Sequence, residues 1–171
     1  ATTNLAVDNF GFKDLIDMRK LRIVGQLPTS ETTPSLLTAK MESLRSGNRE
    51  IQQGEISLAG IRKAHLLKVS AQNEKSKFYV QLAGGFNAQN DWLGQIQKGD
   101  FDSLRARLVQ RQSAAVVYNS AKADLLIGAH CWMSQQSQLC FDQPIRVSKT
   151  RGNISFLTQN LDLNDFAAFM P

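Results

Sequence analysis

The chain has 171 residues and a formal net charge of +5 at pH 7. Hydrophobic residues make up 42% and charged residues 20%, which excludes a disordered chain, a collagen and a disulfide-dense miniprotein. No run reaches the roughly 20 apolar residues that a transmembrane helix needs, and no signal-peptide pattern is present. The sequence starts at Ala1 and ends at Pro171, directly after an apolar run. We therefore expect residues 1–171 to form one segment of a longer chain, with any membrane anchor outside it.

The excess of basic residues is dispersed along the chain. Arg105 and Arg107, for example, alternate with Leu104, Ala106 and Leu108, as on a half-buried strand with one wet face. Aromatic residues do not interleave with the basic ones, as stacking platforms for bases would require. We expect no nucleic-acid partner, whereas attraction to anionic lipid or to an acidic protein stays open.

A two-residue apolar alternation runs through most of the chain and predicts antiparallel hairpins. A first hairpin centred on the Gly47-Asn48 turn pair has a dry face and a wet face, with Lys40 opposite Glu55 on the wet one. Its predicted dry pairs are Leu37–Leu58, Ala39–Ile56 and Met41–Gly54. A second hairpin around 73–76 predicts the pairs Leu67–Leu82, Val69–Val80 and Ala71–Phe78. A slip of one residue would destroy this sorting, so the two hairpins support each other.

Two further hairpins follow from the same alternation. The one around 87–91 predicts the pairs Leu82–Ile96, Gly84–Gly94 and Phe86–Trp92, in which the facing glycines leave room for rings. The one around 134–137 predicts the pairs Leu126–Ile145, His130–Phe141 and Trp132–Leu139. Other predicted strands cover 4–12, 20–27, 104–109, 114–118 and 153–158. A short terminal helix carrying Phe166 and Phe169 is predicted after a cap at Asn164 or Asp165.

These elements predict an all-β fold, an antiparallel meander that forms a long twisted sheet with one apolar face. No predicted helix is long enough to cover that face. The sheet therefore either curls shut as a barrel or sandwich, or stays open as a gutter with an apolar concave groove. Soluble proteins rarely expose large apolar patches, so an open groove would be functional.

The two cysteines, Cys131 and Cys140, lie symmetrically about the centre of the fourth hairpin and therefore face each other across its strands. At a cross-strand separation of about 4.5 to 5.5 Å a disulfide is allowed. We predict a disulfide and hence an oxidising compartment, the alternative being two reduced thiols.

Neither histidine has a local partner for catalysis. His65 is predicted opposite Leu58, and His130 lies near Trp132; no carboxylate or nucleophile is spaced beside either, so we expect them in the groove wall or rim. The chain contains no phosphate loop, nucleophile elbow or metal-ligand spacing. We expect no enzyme activity, no metal and no cofactor.

Several of these residues together resemble a known family. The series His65, Leu67, Val69, Leu82, Gly84, Gly85, Trp92 and Gly94, followed by His130-Cys131-Trp132 and Leu139-Cys140, is similar to the TamB family of translocation and assembly module subunits. The closing Leu161, Leu163, Phe166 and Pro171 fit as well. The Cys-Trp followed by Leu-Cys is the most specific part, and TamB itself resembles the AsmA-like group of bridge-shaped lipid-transfer proteins.

The resemblance implies a Gram-negative protein that spans the periplasm, is anchored in the inner membrane outside this segment, and works with the outer-membrane barrel protein TamA. It implies an open gutter that conducts phospholipid acyl chains towards the outer membrane and supports assembly of outer-membrane proteins. The predicted groove residues are Leu37, Ile56, Leu58, Leu67, Val69, Phe78, Val80, Leu82, Phe86, Trp92, Ile96, Leu126, Trp132, Leu139, Phe141 and Ile145.

Two alternatives remain from the sequence. The chain could be a scaffold that binds nascent barrel strands by β-augmentation without carrying lipid. It could also be a closed structural module, because a sheet that curls shut satisfies the same pattern. Exposed terminal strands would allow an edge-to-edge dimer of the segment.

Overall fold

The computed structural model describes residues 2–12, 16–28, 30–46, 49–104 and 106–161. Within these ranges the chain has seventeen β-strands and no helix. The strands are β1 (Thr2–Phe12), β2 (Ile16–Gln26), β3 (Ser35–Met41), β4 (Ser43–Ser46), β5 (Arg49–Ile51), β6 (Gln53–Ile61), β7 (Ala64–Gln72), β8 (Ser76–Phe86), β9 (Trp92–Ser103), β10 (Arg107–Gln110), β11 (Ala114–Asn119), β12 (Asp124–Ile127), β13 (His130–Met133), β14 (Gln138–Phe141), β15 (Ile145–Val147), β16 (Gly152–Asn153) and β17 (Leu157–Gln159).

The strands form one antiparallel sheet in which β1 pairs with β2, β2 with β3 and β4, and the later strands follow in the same back-and-forth order to β15 with β16 and β14 with β17. Several strands of the meander are interrupted in the middle. The two parts of these interrupted strands are β3 and β4, β5 and β6, β10 and β11, β12 and β13, β14 and β15, and β16 and β17. No pairing joins β1 to β16 or β17 among the described residues, so the sheet is not closed. The predicted all-β curled meander is confirmed.

The first three predicted hairpins have the predicted registers. Leu37 pairs with Leu58, Leu67 with Leu82, and Gly84 with Gly94. The Gly47-Asn48 turn itself lies outside the described residues, but Ser46 pairs with Arg49 on its two sides. These registers follow from sorting apolar side chains to one face, because a one-residue slip would reverse the face of every residue.

Beyond β8 a line of irregularities crosses the sheet. Gln81 pairs with Lys98 but Leu82 pairs with Ile96, so Gln97 is an extra residue in β9. Gln97 and Lys98 are therefore consecutive exposed residues. The residues of β9 that face inward are even-numbered before this bulge and odd-numbered after it. Further breaks separate β10 from β11, β12 from β13 and β14 from β15. Such extra residues bend a sheet and increase its twist.

The break between β12 and β13 makes one predicted pair wrong. Leu126 pairs with Arg146, and Ile145 pairs with Ile127. Leu125 and Ile127 pack against the core, so Leu126, which alternates with them, faces the other side of the sheet. The prediction carried the alternation straight through Gly128 and Ala129, which lie outside the ladder.

Three other expectations differ from the structure. Ser103 N donates a hydrogen bond to Ala106 O over 2.9 Å, and the strand predicted over 104–109 begins only at Arg107. His65 pairs with Gly60 rather than Leu58, because the turn is made by 62–63. The strand predicted over 153–158 is two short ones, β16 and β17. The predicted terminal helix lies outside the described residues.

The core consists of two clusters on one face, which we call the inner face. Phe78, Val80 and Leu82 alternate along β8 and contact the clusters, which places both on the same side. The first cluster contains buried Ile96, Ala114 and Val116, packed against Val80, Leu82, Trp92, Leu125 and Ile127. The second contains buried Phe101, Leu108 and Trp132, packed against Phe78, Val80, Leu139, Phe141 and Leu161.

Candidate functional site

Beside the first cluster the inner face leaves an apolar hollow of about 660 Å³, which we call the trough. Its floor is formed by the rows that the meander aligns, with Leu58, Leu67 and Leu82 side by side on β6, β7 and β8. The described residues that line it are Leu27, Pro28, Ser30, Glu31, Ser35, Leu58, Gly60, Ile61, Arg62, His65, Leu67, Leu82, Phe86, Trp92, Val116, Tyr118 and Leu125.

The sixteen predicted groove residues divide between the trough and its surroundings. Those that line the trough are Leu58, Leu67, Leu82, Phe86 and Trp92. Those that belong to the two clusters are Phe78, Val80, Ile96, Trp132, Leu139 and Phe141. Those that share the inner-face rows are Leu37, Ile56, Val69 and Ile145. Only Leu126 lies on the opposite face, and the second cluster fills part of the surface that the sequence left open.

Next to the trough, one apolar row of the inner face is uncovered. The register aligns Leu5, Ile23, Ala39, Ile56 and Val69 across five neighbouring strands. Leu5 is 47% exposed and Ile56 is 48% exposed, although both stand on the apolar face. We call this row the open strip. Among the described residues, the inner face is buried around the two clusters and exposed at Leu5 and Ile56 of this strip.

His65 and Trp92 are hydrogen-bonded in the wall of the trough. Trp92 Nε1 donates to His65 Nε2 over 2.8 Å, so this nitrogen is the unprotonated one. His65 Nδ1 then donates to the carbonyl of Ile61 at 3.2 Å. The ring of Phe86 lies 5.8 Å from the imidazole. Both polar groups of this wall are satisfied within the wall, so it presents ring faces and edges to the trough.

Glu31 and Arg62 lie at the mouth of the trough and are the charged side chains among its described lining residues. Arg62 lies in the turn between β6 and β7, with its guanidinium 5.0 Å above the centre of the Phe86 ring and a bond to Asn90 Oδ1. Glu31 lies 4.0 Å from Arg62 and 3.4 Å from Lys63. Sequence reasoning missed this group because Glu31 and Arg62 are far apart in the chain and belong to two turns.

The outer face has a separate polar hollow of about 950 Å³. Its charges are largely paired, Lys20 with Glu42 at 2.7 Å and Arg107 with Asp100 at 3.0 Å. The hydrogen bond and the charge of Glu42 raise the pKa of Lys20, and those of Asp100 raise the pKa of Arg107. These groups are exposed pairs of a solvated face, which is the interpretation that the dispersed charge indicated.

The predicted disulfide is present. Cys131 and Cys140 are paired across β13 and β14 with a Cα–Cα distance of 4.1 Å. Because His130 and Trp132 are buried on the inner face, the disulfide lies on the outer face. It therefore ties the ribbon behind the second cluster without entering the trough.

The family of this chain follows from its match to a known protein family. The chain matches the family described as TamB, N-terminal domain, over residues 1–171. The chain belongs to the TamB family. TamB acts in the translocation and assembly module with TamA, and it spans the periplasm from an inner-membrane anchor. No solved structure gives a significant match to the chain.

The TamB family is not a known enzyme family. In the described part of the chain, no three histidine, cysteine, aspartate or glutamate side chains are grouped as metal ligands. Nor do those ranges contain a helix with the length and apolar character needed to cross a bilayer.

Proposed function

We propose that the inner face of this TamB segment binds phospholipid acyl chains and passes phospholipid between the inner and outer membranes. The observation that carries the proposal is apolar surface left uncovered on one side of the sheet, where the trough adjoins the open strip. Leu67 and Leu82 lie in the floor of the trough, and Ile56 is 48% exposed on the same face. An acyl chain that covers this surface would replace water in the trough and on the open strip.

The energetics suit transfer rather than storage. Each methylene buried gains about 0.8 kcal/mol, so a partly buried chain has a useful gross gain that the ordering of chain and protein reduces. A lining of aliphatic and aromatic side chains offers no directional bond along the path, so a chain that slides by one methylene exchanges equivalent contacts. In the cell this segment would act between the inner membrane and TamA, and it would thereby support assembly of outer-membrane proteins.

The experiment places an aspartate in the floor of the trough, on β7 or β8, and compares it with one on the outer face of β7 in the intact protein. We expect Leu67→Asp or Leu82→Asp to block phospholipid supply to the outer membrane, because a carboxylate in the floor must be hydrated and its water displaces acyl chains. Leu66→Asp is the matched control, since Leu66 is the next residue and pairs with Ala59 and Ala83 on the outer face. Unchanged lipid supply with a stably folded Leu67→Asp protein would refute the proposal.

A second function is a scaffold for nascent barrel strands. The observation that favours it is β1, an 11-residue strand that pairs only with β2 among the described strands. A strand added at that edge would gain backbone hydrogen bonds and would not depend on the polarity of the trough. Normal lipid supply and normal barrel assembly with Leu67→Asp, together with capture of a barrel-strand peptide by the protein, would favour the scaffold over the conduit.

A further inference from the structure

Arg62 stands where an amphiphile held in the trough would end. It lines the same hollow as Leu58, Leu67 and Leu82, and the other charged residue among the described part of that lining is Glu31. An apolar hollow with one cation and one anion at its mouth matches a molecule with an acyl chain and a small charged group. The cation must then be able to leave its present partner.

The distances at the mouth show that Arg62 is the exchangeable member. The Arg62–Glu31 contact is 4.0 Å, at the outer limit of an ion pair, whereas Lys63 Nζ is 3.4 Å from the same carboxylate. Glu31 therefore keeps a partner if Arg62 turns to another anion. Arg62 also has five N–H donors, of which one bonds to Asn90.

The turn that carries Arg62 is held firmly against β8. Phe86 N donates to the Arg62 carbonyl over 3.0 Å. Gly85 lies against Lys63 so closely that a Cβ there would be 2.0 Å from the Lys63 carbonyl oxygen. The guanidinium rests on the Phe86 ring. With its backbone held in this way, Arg62 needs only a side-chain movement to present its planar guanidinium fork to two oxygens of one phosphate.

We propose that Arg62 binds the phosphate of a phospholipid whose acyl chain lies in the trough, and that Glu31 competes with that phosphate. The inference rests on the proposed function and adds a headgroup site to it. The guanidinium exchanges its long contact with Glu31 for the phosphodiester, while Lys63 retains the carboxylate. The trough thereby prefers charged lipids over uncharged ones of the same chain length.

The test labels the purified intact protein with two photoactivatable lipids that carry the same diazirine acyl chain. One is phosphatidylglycerol and the other is diacylglycerol, which has no phosphate. Peptide mapping scores labelling of the trough strands β6 to β8. We expect Arg62→Gln to lower phosphatidylglycerol labelling about fivefold, the upper size for one partly exposed charge contact, and to leave diacylglycerol labelling unchanged.

Two variants control for charge and competition. Lys68→Gln removes the same charge from the outer face, where Lys68 pairs with Ser57 and Gln81, and should leave both lipids unchanged. Glu31→Gln removes the competing carboxylate and should raise phosphatidylglycerol labelling. Millimolar inorganic phosphate should not lower that labelling, because a headgroup without its chain gains nothing from the trough.

The outcomes separate this inference from the proposed function. If Leu67→Asp abolishes labelling by both lipids but Arg62→Gln and Glu31→Gln change neither, the headgroup site is refuted and the acyl site stands. If free phosphate binds in an Arg62-dependent way and lipid labelling does not respond to Arg62, the site belongs to a soluble anion and the inference is wrong. If neither lipid labels the wild-type trough, both proposals fail.

Discussion

Trp92 Nε1 donates a hydrogen bond to His65 Nε2 over 2.8 Å, and it thereby joins β9 to β7 across the intervening β8. The indole can reach because it crosses above the facing pair Gly84 and Gly94. A Cβ on Gly84 would be 2.6 Å from Trp92 Cζ2, and one on Gly94 would be 2.5 Å from Trp92 Cη2. The wall of the trough therefore depends on two residues that have no side chain.

This relationship predicts that Gly94→Ala destabilises the chain. The added methyl would lie 2.4 Å from the Ala83 carbonyl oxygen and 2.5 Å from Trp92 Cη2, so both the neighbouring strand and the ring must shift. This overpacking costs about 1–3 kcal/mol and weakens the hydrogen bond from Trp92 to His65. Urea unfolding followed by tryptophan fluorescence measures the change. Gly152→Ala is the control, because a Cβ there meets nothing within 4 Å, and it should stay within about 0.5 kcal/mol of wild type. Equal effects of the two variants would contradict the packing described for Trp92.

The disulfide is expected to stabilise the ribbon behind the second cluster. Cys131 and Cys140 are separated by 9 positions, and closing a loop of that length is worth about 2–3 kcal/mol in the chain-entropy account. Reductant should lower the free energy of unfolding of wild type by that amount and have no effect on the Cys131→Ala/Cys140→Ala variant. Alkylation of both cysteines in the native protein without reductant would contradict the pairing.

Because Leu126 and Ile127 face opposite sides of β12, a charged substitution should destabilise the protein much more at Ile127 than at Leu126. Ile127 packs against the first cluster, so Ile127→Asp brings a carboxylate next to Val116 and should cost about 3 kcal/mol or more. Leu126 faces the outer side, where it pairs with Val117 and Arg146, so Leu126→Asp should cost under about 1 kcal/mol. Thermal unfolding of the two variants gives the comparison. A larger loss of stability for Leu126→Asp than for Ile127→Asp would contradict the break and support an unbroken alternation.

Acidification should release a small local contact in the hairpin of β4 and β5. The hydrogen bond from Ser43 at 2.9 Å and then that from Arg45 at 3.2 Å hold the pKa of Glu50 below its ordinary value. The pKa of this carboxyl is lower in the folded protein than in the unfolded chain. The ionised carboxylate therefore stabilises the fold at pH above the unfolded pKa, and this stability is lost as the pH falls through the folded pKa. NMR titration of the Glu50 carboxyl should show the lowered pKa in wild type and a higher one in Ser43→Ala. Identical titrations would mean that the hydroxyl does not hold the carboxylate.

The meander and most of its registers could be predicted from the sequence. Pairs such as Leu67–Leu82 and Cys131–Cys140 are local in the chain, and one-face sorting leaves a single acceptable register. The facing glycines at 84 and 94 also had the predicted role of making room for a ring. Each of these features is contained within one hairpin.

The features that sequence reasoning missed join hairpins or interrupt them. Apolar alternation alone did not locate the extra residue Gln97 or the break at Gly128, and each changes which residues face inward. The His65–Trp92 bond spans two hairpins, and the Glu31–Lys63 contact depends on two turns meeting at the mouth. The burial of Trp132 over Gly99 likewise depends on how the whole sheet curls, which local alternation does not specify.

The central claim is that acyl chains lie on the inner face. The most direct test places a photo-crosslinking amino acid at Leu67 or at its neighbour Leu66 in the intact protein in living cells, followed by mass spectrometry of the captured lipid. Leu67 lines the trough, whereas Leu66 occupies the opposite face of β7. The account predicts phospholipid adducts at position 67 and none above background at position 66. Equal capture at the two positions, or capture at 66 alone, would contradict it.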